Sequence, residues 1–312
     1  MHAFVVATRA THTDEVTAFS EFPVDRSPDP IERVGVVGSG TMGAGIAELC
    51  AVRGLDVRLA VSRESSLRSG PARIAASLQR RVDRQKLTEV ERDAALARIS
   101  VGTDLADLGD RQLVIEAAPE DEQLKLGLFG TLDKIAADDA ILATTTSAIS
   151  ITRLAMATSR PDRVVGIHFF NPVTALPLVE LVPALPTDPE VVRRAEAFVV
   201  DRLGKQPIHA PDRSGFVVNA LLIPYLLAAV RMVESGFATA ESVDRGMELG
   251  CAHPMGPLRL ADLIGLDVVV AIAEALHREF REPSYAPPPL LSRMVESGIL
   301  GRKSGRGFYE YV

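Results

Sequence analysis

His168 and Glu180 are the pair from which chemistry can be read. The imidazole ends a short β-like run, VVGI, and the carboxylate lies twelve residues on in a second apolar run, LPLVELV. Between them Asn171-Pro172 marks a turn, so two neighbouring strands can bring the acid back beside the ring. A carboxylate held on one ring nitrogen fixes the tautomer and stabilises the imidazolium. The other nitrogen is then left to take a proton from an alcohol. That is the base an alcohol oxidation needs. A purely structural histidine–glutamate contact looks the same in sequence, so the surrounding elements must carry the distinction.

Those elements begin at Ile31, with IERVGVVGSGTMGAGIAELCAVRGLDVRLAV. The run Arg33 to Val37 predicts a buried strand, Gly38, Gly40 and Gly43 form GxGxxG, Ala44 to Val52 predicts a closely packed helix, and a second strand follows over Val57 to Val61. The three glycines permit a tight turn, approach of backbone to a pyrophosphate, and close helix-to-strand contact, with the helix N-terminus facing the anion. A nicotinamide dinucleotide is the ligand that this order of elements suits. At the end of the second strand, an acidic residue is expected to hold the ribose hydroxyls. Val61-Ser62-Arg63 stands there instead. Ser62 and Arg63 can bind a 2′-phosphate, or Arg63 can stack on adenine, so NAD and NADP both remain open.

Residues Glu64 to Ile99 predict a helical region that breaks near Leu87, where Thr88 and Glu91 are spaced for a capping box. Arg68, Arg73, Arg80, Arg81, Arg84 and Lys86 make its first helix basic, either as a solvated face or as a landing site for a phosphate-bearing carrier. Strands over Ile99 to Thr103, Leu113 to Glu116 and Ile141 to Thr145, with a helix over Asp121 to Ala136, complete an alternating pattern. Such alternation implies an α/β fold with a mostly parallel, doubly wound sheet of Rossmann type and a helix-pair insertion. Ser147, just past a strand's carboxyl end, then faces the ligand crevice. After Gly215-Phe216 only helices are expected: one containing Asn219, then Ala240 to Leu249, Leu258 to Arg281 and Leu290 to Ser297. The organisation read from this is an extension over 1–30, a dinucleotide-binding domain over 31–211, and an all-α domain over 212–312, to which the resemblance given below assigns substrate binding and dimerisation.

With 47% hydrophobic and 24% charged residues the chain has the make-up of an ordinary globule. A formal charge of −7 argues against nucleic acid or an anionic membrane as a partner. The most apolar stretch, Phe216 to Val230, is interrupted by Asn219 and Pro224 and is shorter than the ~20 residues a bilayer requires, so the cytoplasm is expected. Cys50 and Cys251 stand far apart without metal-ligand spacing and are expected as buried, reduced thiols, with no metal site.

Taken together the motifs GSGTMGAGIA, VIEAAPED with Lys125, ILATTTSAISIT, GIHFFNPVTALPLVE, DRSGFVVNALLIPYL, LGCAHPMGPLRLADLIGLD and GRKSGRGFYEY resemble the 3-hydroxyacyl-CoA dehydrogenase family from about Ile31 to the C-terminus. The resemblance implies His168 as catalytic base, Glu180 as its partner, and Ser147 as the serine that binds the substrate's C3 oxygen. It places Asn171 and Asn219 in the substrate site, and Thr41, Met42, Glu120 and Lys125 at the cofactor. It implies a homodimer built through the C-terminal domain and an acyl-CoA substrate. Several positions depart from the family's pattern: Val61 stands for a usual aspartate, ATTTSA for ASNTSS so that Thr145 and Ala148 are changed while Ser147 is kept, and His253 for a common aromatic. The expected activity is reversible hydride transfer between the nicotinamide and C3 of a 3-hydroxyacyl thioester. A carrier-protein thioester, a free hydroxy or sugar acid, and a non-catalytic nucleotide-binding protein are the alternatives.

Overall fold

A computed structural model of the protein describes residues 30–311, so the expected N-terminal extension falls almost wholly outside the described residues. The first half alternates strand and helix. β1 (Arg33–Val37), α1 (Thr41–Val52) and β2 (Asp56–Ala60) are followed by the helix pair α2 (Glu64–Asp83) and α3 (Glu89–Ala97). The break between that pair is made by the expected capping box: Thr88 accepts from the Glu91 amide, and Glu91 accepts from the Thr88 amide. β3 (Ile99–Gly102), β4 (Leu113–Glu116), α4 (Glu122–Ile135), β5 (Ile141–Thr144), α5 (Ile151–Ala155) and β6 (Val164–Phe169) continue the alternation. β7 (Leu178–Pro183), α6 (Pro189–Ala197) and β8 (Gln206–His209) then close one eight-stranded sheet of order β3-β2-β1-β4-β5-β6-β7-β8.

The first six strands are parallel in the order 3-2-1-4-5-6, which reverses direction between β1 and β4 and opens a ligand crevice at their carboxyl ends. β7 runs antiparallel to β6, and β8 runs parallel to β7. The central strands β1, β4, β5 and β6 read mostly as apolar runs because both faces are covered. On one face Val34, Val36, Leu59 and Ile115 pack with α1 and α2 residues such as Ile46 and Leu78, and on the other Val114 and Leu142 pack with Phe129 and Leu132 of α4. Cys50 lies in the first of these layers, where burial pushes its thiol up to about 12.

The remainder is helical: α7 (Val218–Glu234), α8 (Ala240–Gly250), α9 (Pro257–Ile264), α10 (Leu266–Phe280) and α11 (Pro289–Glu296) share a core of Leu226, Leu227, Leu258, Val269 and Leu276. Two expectations are corrected here. The run Leu258 to Arg281 is two helices, because Gly265 adopts φ 105°, outside the helical region, and turns the chain between α9 and α10. Cys251 is exposed, since it is the C-cap of α8 and leaves the helix on its solvent side. The last turn of the chain is strapped to the helices by two buried carboxylates. Asp262 accepts from the amides of Phe308 and Tyr309, and Asp244 accepts from the Tyr309 hydroxyl at 2.8 Å. No described helix is long and apolar enough to cross a membrane.

Candidate active site

The glycine turn after β1 has the shape its spacing predicts. At Gly38, with φ 104°, a Cβ would lie 2.6 Å from the Ala117 carbonyl oxygen, and at Gly43 a Cβ would lie 1.9 Å from that of Gly38. Neither position has room for a side chain. Gly40 is different, for a Cβ there would meet nothing within 4 Å. It leaves an open approach to the N-terminus of α1, where the first-turn amides of a twelve-residue helix point outward. A dinucleotide pyrophosphate fits this cradle. Val61 is buried in the core, while Ser62 and Arg63 are exposed beyond the end of β2 and form no side-chain hydrogen bond or ion pair among the described residues.

Further along the strand ends, Met42, Ala117, Glu120, Lys125, Ser147 and Ala148 line a cavity of about 330 Å3 that α10 closes with Asp267 and Ile272. Lys125 reaches this wall but spends its ammonium inward: it is 1% exposed and donates to Glu116 at 2.7 and 2.9 Å. Glu116 also accepts from the Thr144 hydroxyl at 2.7 Å and the Ala118 amide at 2.6 Å, so the buried charges are compensated on every side. Glu120 accepts from the Thr146 hydroxyl and, at 3.1 Å, from the Ser147 amide. That carboxylate fixes the turn from which the Ser147 hydroxyl projects.

His168 and Glu180 are directly opposite residues in the β6/β7 ladder. Cross-strand partners on one face of an antiparallel pair stand about 5 Å apart, within reach of a side-chain bond. His168 Nδ1 lies 2.7 Å from Glu180 Oε2, and His168 Nε2 lies 3.1 Å from Ser147 Oγ. A carboxylate only accepts, so Nδ1 carries the proton and Nε2 is the acceptor, receiving the Ser147 hydroxyl. The imidazole is 4% exposed and sits edge-on to Phe170 and Phe216, with ring centroids at 4.7 and 5.4 Å.

Glu180 is fully buried, and its second oxygen accepts from the Val217 and Val218 amides at 3.0 and 2.9 Å. These donors open α7, whose dipole favours a negative charge at that end. The sequence pattern did not mark them, because backbone donors carry no residue signature. Their only trace was Gly215, whose φ of 76° with φ 47° at Phe216 turns the chain so that both amides face the carboxylate. Asn219 follows immediately in the first turn of α7; it is 8% exposed and its side chain makes no hydrogen bond among the described residues.

Asn171 is not gathered with Ser147. It stands three residues beyond His168, exposed, on a second cavity of about 210 Å3 that also involves Thr41, Arg73, Ser77 and Arg80. Thr41 opens α1 and accepts a long contact of 3.5 Å from Arg73. Arg81 is committed elsewhere, to the buried Glu48 at 3.3 Å.

Comparison with known proteins agrees with this architecture along its length. The family model described as the 3-hydroxyacyl-CoA dehydrogenase NAD binding domain matches residues 33–213, and that of the C-terminal domain matches residues 215–311. A 3-hydroxybutyryl-CoA dehydrogenase of Mycobacterium tuberculosis is 57% identical over 284 residues, covering 91% of this chain and 99% of its own. One from Bradyrhizobium diazoefficiens is 45% identical, covering 90% and 96%. The crystal structure of M. tuberculosis FadB2 superposes with a TM-score of 0.90 at 56% identity, over 91% of this chain and all of that one. That of an (S)-3-hydroxybutyryl-CoA dehydrogenase from Ralstonia eutropha gives 0.85 at 46%, over 90% and 99%.

Proposed function

The chain belongs to the 3-hydroxyacyl-CoA dehydrogenase family, and on that premise we propose that its strand-end site interconverts 3-hydroxyacyl-CoA and 3-oxoacyl-CoA, with 3-hydroxybutyryl-CoA, named for its relatives, as the first substrate to test. The observation that carries this reading is the continuous relay from the Ser147 hydroxyl through His168 to Glu180 and the α7 amides, beside a cavity that adjoins the glycine turn.

Bound in the crevice, the nicotinamide supplies the two-electron acceptor for the hydride that leaves C3. His168 Nε2 takes the proton of the C3 hydroxyl as that bond to hydrogen breaks, and the imidazolium so formed is stabilised by Glu180. The Ser147 hydroxyl orients the same oxygen, and the unengaged Asn219 amide is available to the thioester. In the reducing direction the imidazolium returns the proton to the oxygen. Gly38, Gly40 and Gly43 with the start of α1, including Thr41 and Met42, hold the dinucleotide, and Glu120 and Lys125 shape the wall near its reactive end.

We also read Ser62 and Arg63 as a 2′-phosphate site that makes NADP(H) the favoured nucleotide, supported by the absence of any carboxylate at Val61 and by both side chains lying exposed and uncommitted. The helical part, taken as a separate domain from residue 212, is read as the dimer module. Leu221, Phe237 and Leu249 are each more than 70% exposed on it, apolar side chains that a second copy would cover. Light scattering should return twice the monomer mass.

The deciding experiment follows absorbance at 340 nm while crossing NAD(H) and NADP(H) with short and long 3-oxoacyl-CoA substrates, carrier-protein thioesters and free hydroxy acids. Turnover of the CoA thioesters is the expected result. A flat trace across the panel refutes the dehydrogenase reading, and turnover confined to free acids or carrier thioesters moves the substrate.

A further inference from the structure

The chain between β6 and β7 has to do two things. The His168–Glu180 pair is held by the ladder itself, whose last partners on that side are Phe169 and Val179. Asn171 lies past that last pair, exposed, in the turn 171–177, and strand pairing does not fix it.

What grips the turn is a buried cation from the far end of the sheet. Lys205, immediately before β8, donates from Nζ to the carbonyls of Val173 at 2.7 Å and Leu176 at 2.5 Å, and the next amide, Gln206, donates to the Pro177 carbonyl at 2.9 Å. Lys205 is 8% exposed, and among the described residues no carboxylate lies within ion-pair distance of it. Burial first, and then Arg53 and Arg81, push its ammonium down from the ordinary lysine value. An unpaired cation in such a place is costly, and an apolar side chain of the same length would avoid the cost. The two carbonyl contacts are what the cation adds. From the opposite side Val173, 4% exposed, seats against Gly45 of α1, where an added methyl would stand 3.0 Å from Val173 Cβ.

We propose that Lys205 is a positioning residue for the dehydrogenase site: it clamps the 171–177 turn so that the Asn171 amide is presented to the thioester substrate. The proposal rests on the reading of the site given above, with Asn171, which the family resemblance places in the substrate site, contacting the thioester from the cavity it shares with α1 and α2. The clamp acts on neither the glycine turn nor the ladder. Its loss therefore falls on thioester use, while nucleotide affinity and the pH profile of turnover stay in place.

The test uses the full chain with Lys205→Met and, separately, Gly45→Ala, which presses on Val173 without touching the lysine. Lys205→Met should lower kcat/KM for acetoacetyl-CoA by about 10- to 100-fold, the cost of a misplaced binding group. The nucleotide Kd, read by fluorescence, should stay within about twofold, and in an Asn171→Ala background the loss should largely vanish. Gly45→Ala should raise the thioester KM by about threefold or more, again only when Asn171 is present. A folded Lys205→Met protein with unchanged kcat/KM, or one that loses as much without Asn171, overturns the proposal. If Lys205→Met does not fold, an unchanged thioester KM in Gly45→Ala overturns it instead. A wild-type protein inert toward every 3-oxoacyl thioester refutes the reading of the site, whereas an active wild type with indifferent variants refutes only the clamp.

Discussion

Replacing Glu180 by glutamine tests the relay at its least forgiving point. In the native arrangement one carboxylate oxygen accepts from His168 Nδ1 at 2.7 Å, and the other accepts two backbone amides at 3.0 and 2.9 Å. Glutamine has one oxygen and one NH2, so it can satisfy only one side. Turning the NH2 toward Val217 and Val218 would oppose donors with donors in a fully buried place and forfeit two hydrogen bonds, each worth about 1 to 3 kcal/mol when left unmade. The oxygen therefore stays with the amides and the NH2 faces the imidazole. Nδ1 must then accept, which moves the ring proton to Nε2, the atom that has to receive the substrate's proton. The base is disabled by tautomer, with little change in shape. In the serine-protease triad the same kind of exchange lowers turnover about 10⁴-fold, and we expect about 10² to 10⁴ here, or about 3 to 5 kcal/mol on the barrier. Single-turnover oxidation of 3-hydroxybutyryl-CoA, followed at 340 nm with saturating oxidised nucleotide, measures the step directly. A folded Glu180→Gln protein whose hydride-transfer rate stays within about threefold of wild type would show that Glu180 does not set the tautomer.

Other consequences can be checked in the same assay or by unfolding. Arg63→Asp should shift the ratio of kcat/KM from NADP(H) toward NAD(H) by about tenfold or more, because a carboxylate repels a 2′-phosphate and accepts from ribose hydroxyls; an unchanged ratio removes Arg63 from nucleotide choice. Arg80→Glu should raise the acyl-CoA KM by about three- to tenfold at constant kcat, since Arg80 lines the cavity that holds Asn171. Arg81 is unsuited to that test, because reversing it would strand the buried Glu48. The Lys205 ammonium is depressed below the ordinary 10.5 by burial and by Arg53 and Arg81. Between the depressed value and 10.5 the unfolded chain binds more protons, so this group's contribution to stability rises with pH through that window and is lost as pH falls through the folded value. Denaturant midpoints taken across the alkaline range should show the slope in wild type and lack it in Lys205→Met.

Much of the scaffold was legible because its signals are local. GxGxxG between an apolar strand and a small-residue helix, the Thr88–Glu91 box, and strands read as continuous apolar runs each follow from a few neighbouring residues. The proximity of His168 and Glu180 was legible too, from a turn signal between two β-like runs. What escaped is what depends on distant chain. The α7 amides that hold Glu180, the Glu120 carboxylate under Ser147 and the Lys205 grip on the 171–177 turn join residues at least 37, 27 and 29 positions apart, through backbone atoms that composition does not reveal. β8, QPIH, is a short edge strand containing proline and has no alternating pattern. Gly265 sits in an otherwise helical run, where only its φ of 105° discloses the break.

The left-handed pair Gly215-Phe216 has a meaning beyond its local geometry. Phe216 sets its ring edge-on to the imidazole while the two residues after it fasten the acid, so the proposed base draws on both sides of the joint between sheet and helices. A fragment cut at that joint would keep its nucleotide cradle and its histidine but lose the donors that anchor the acid beneath it. The glycine turn lies wholly on one side of that joint, whereas the carboxylate beside His168 is held from the other.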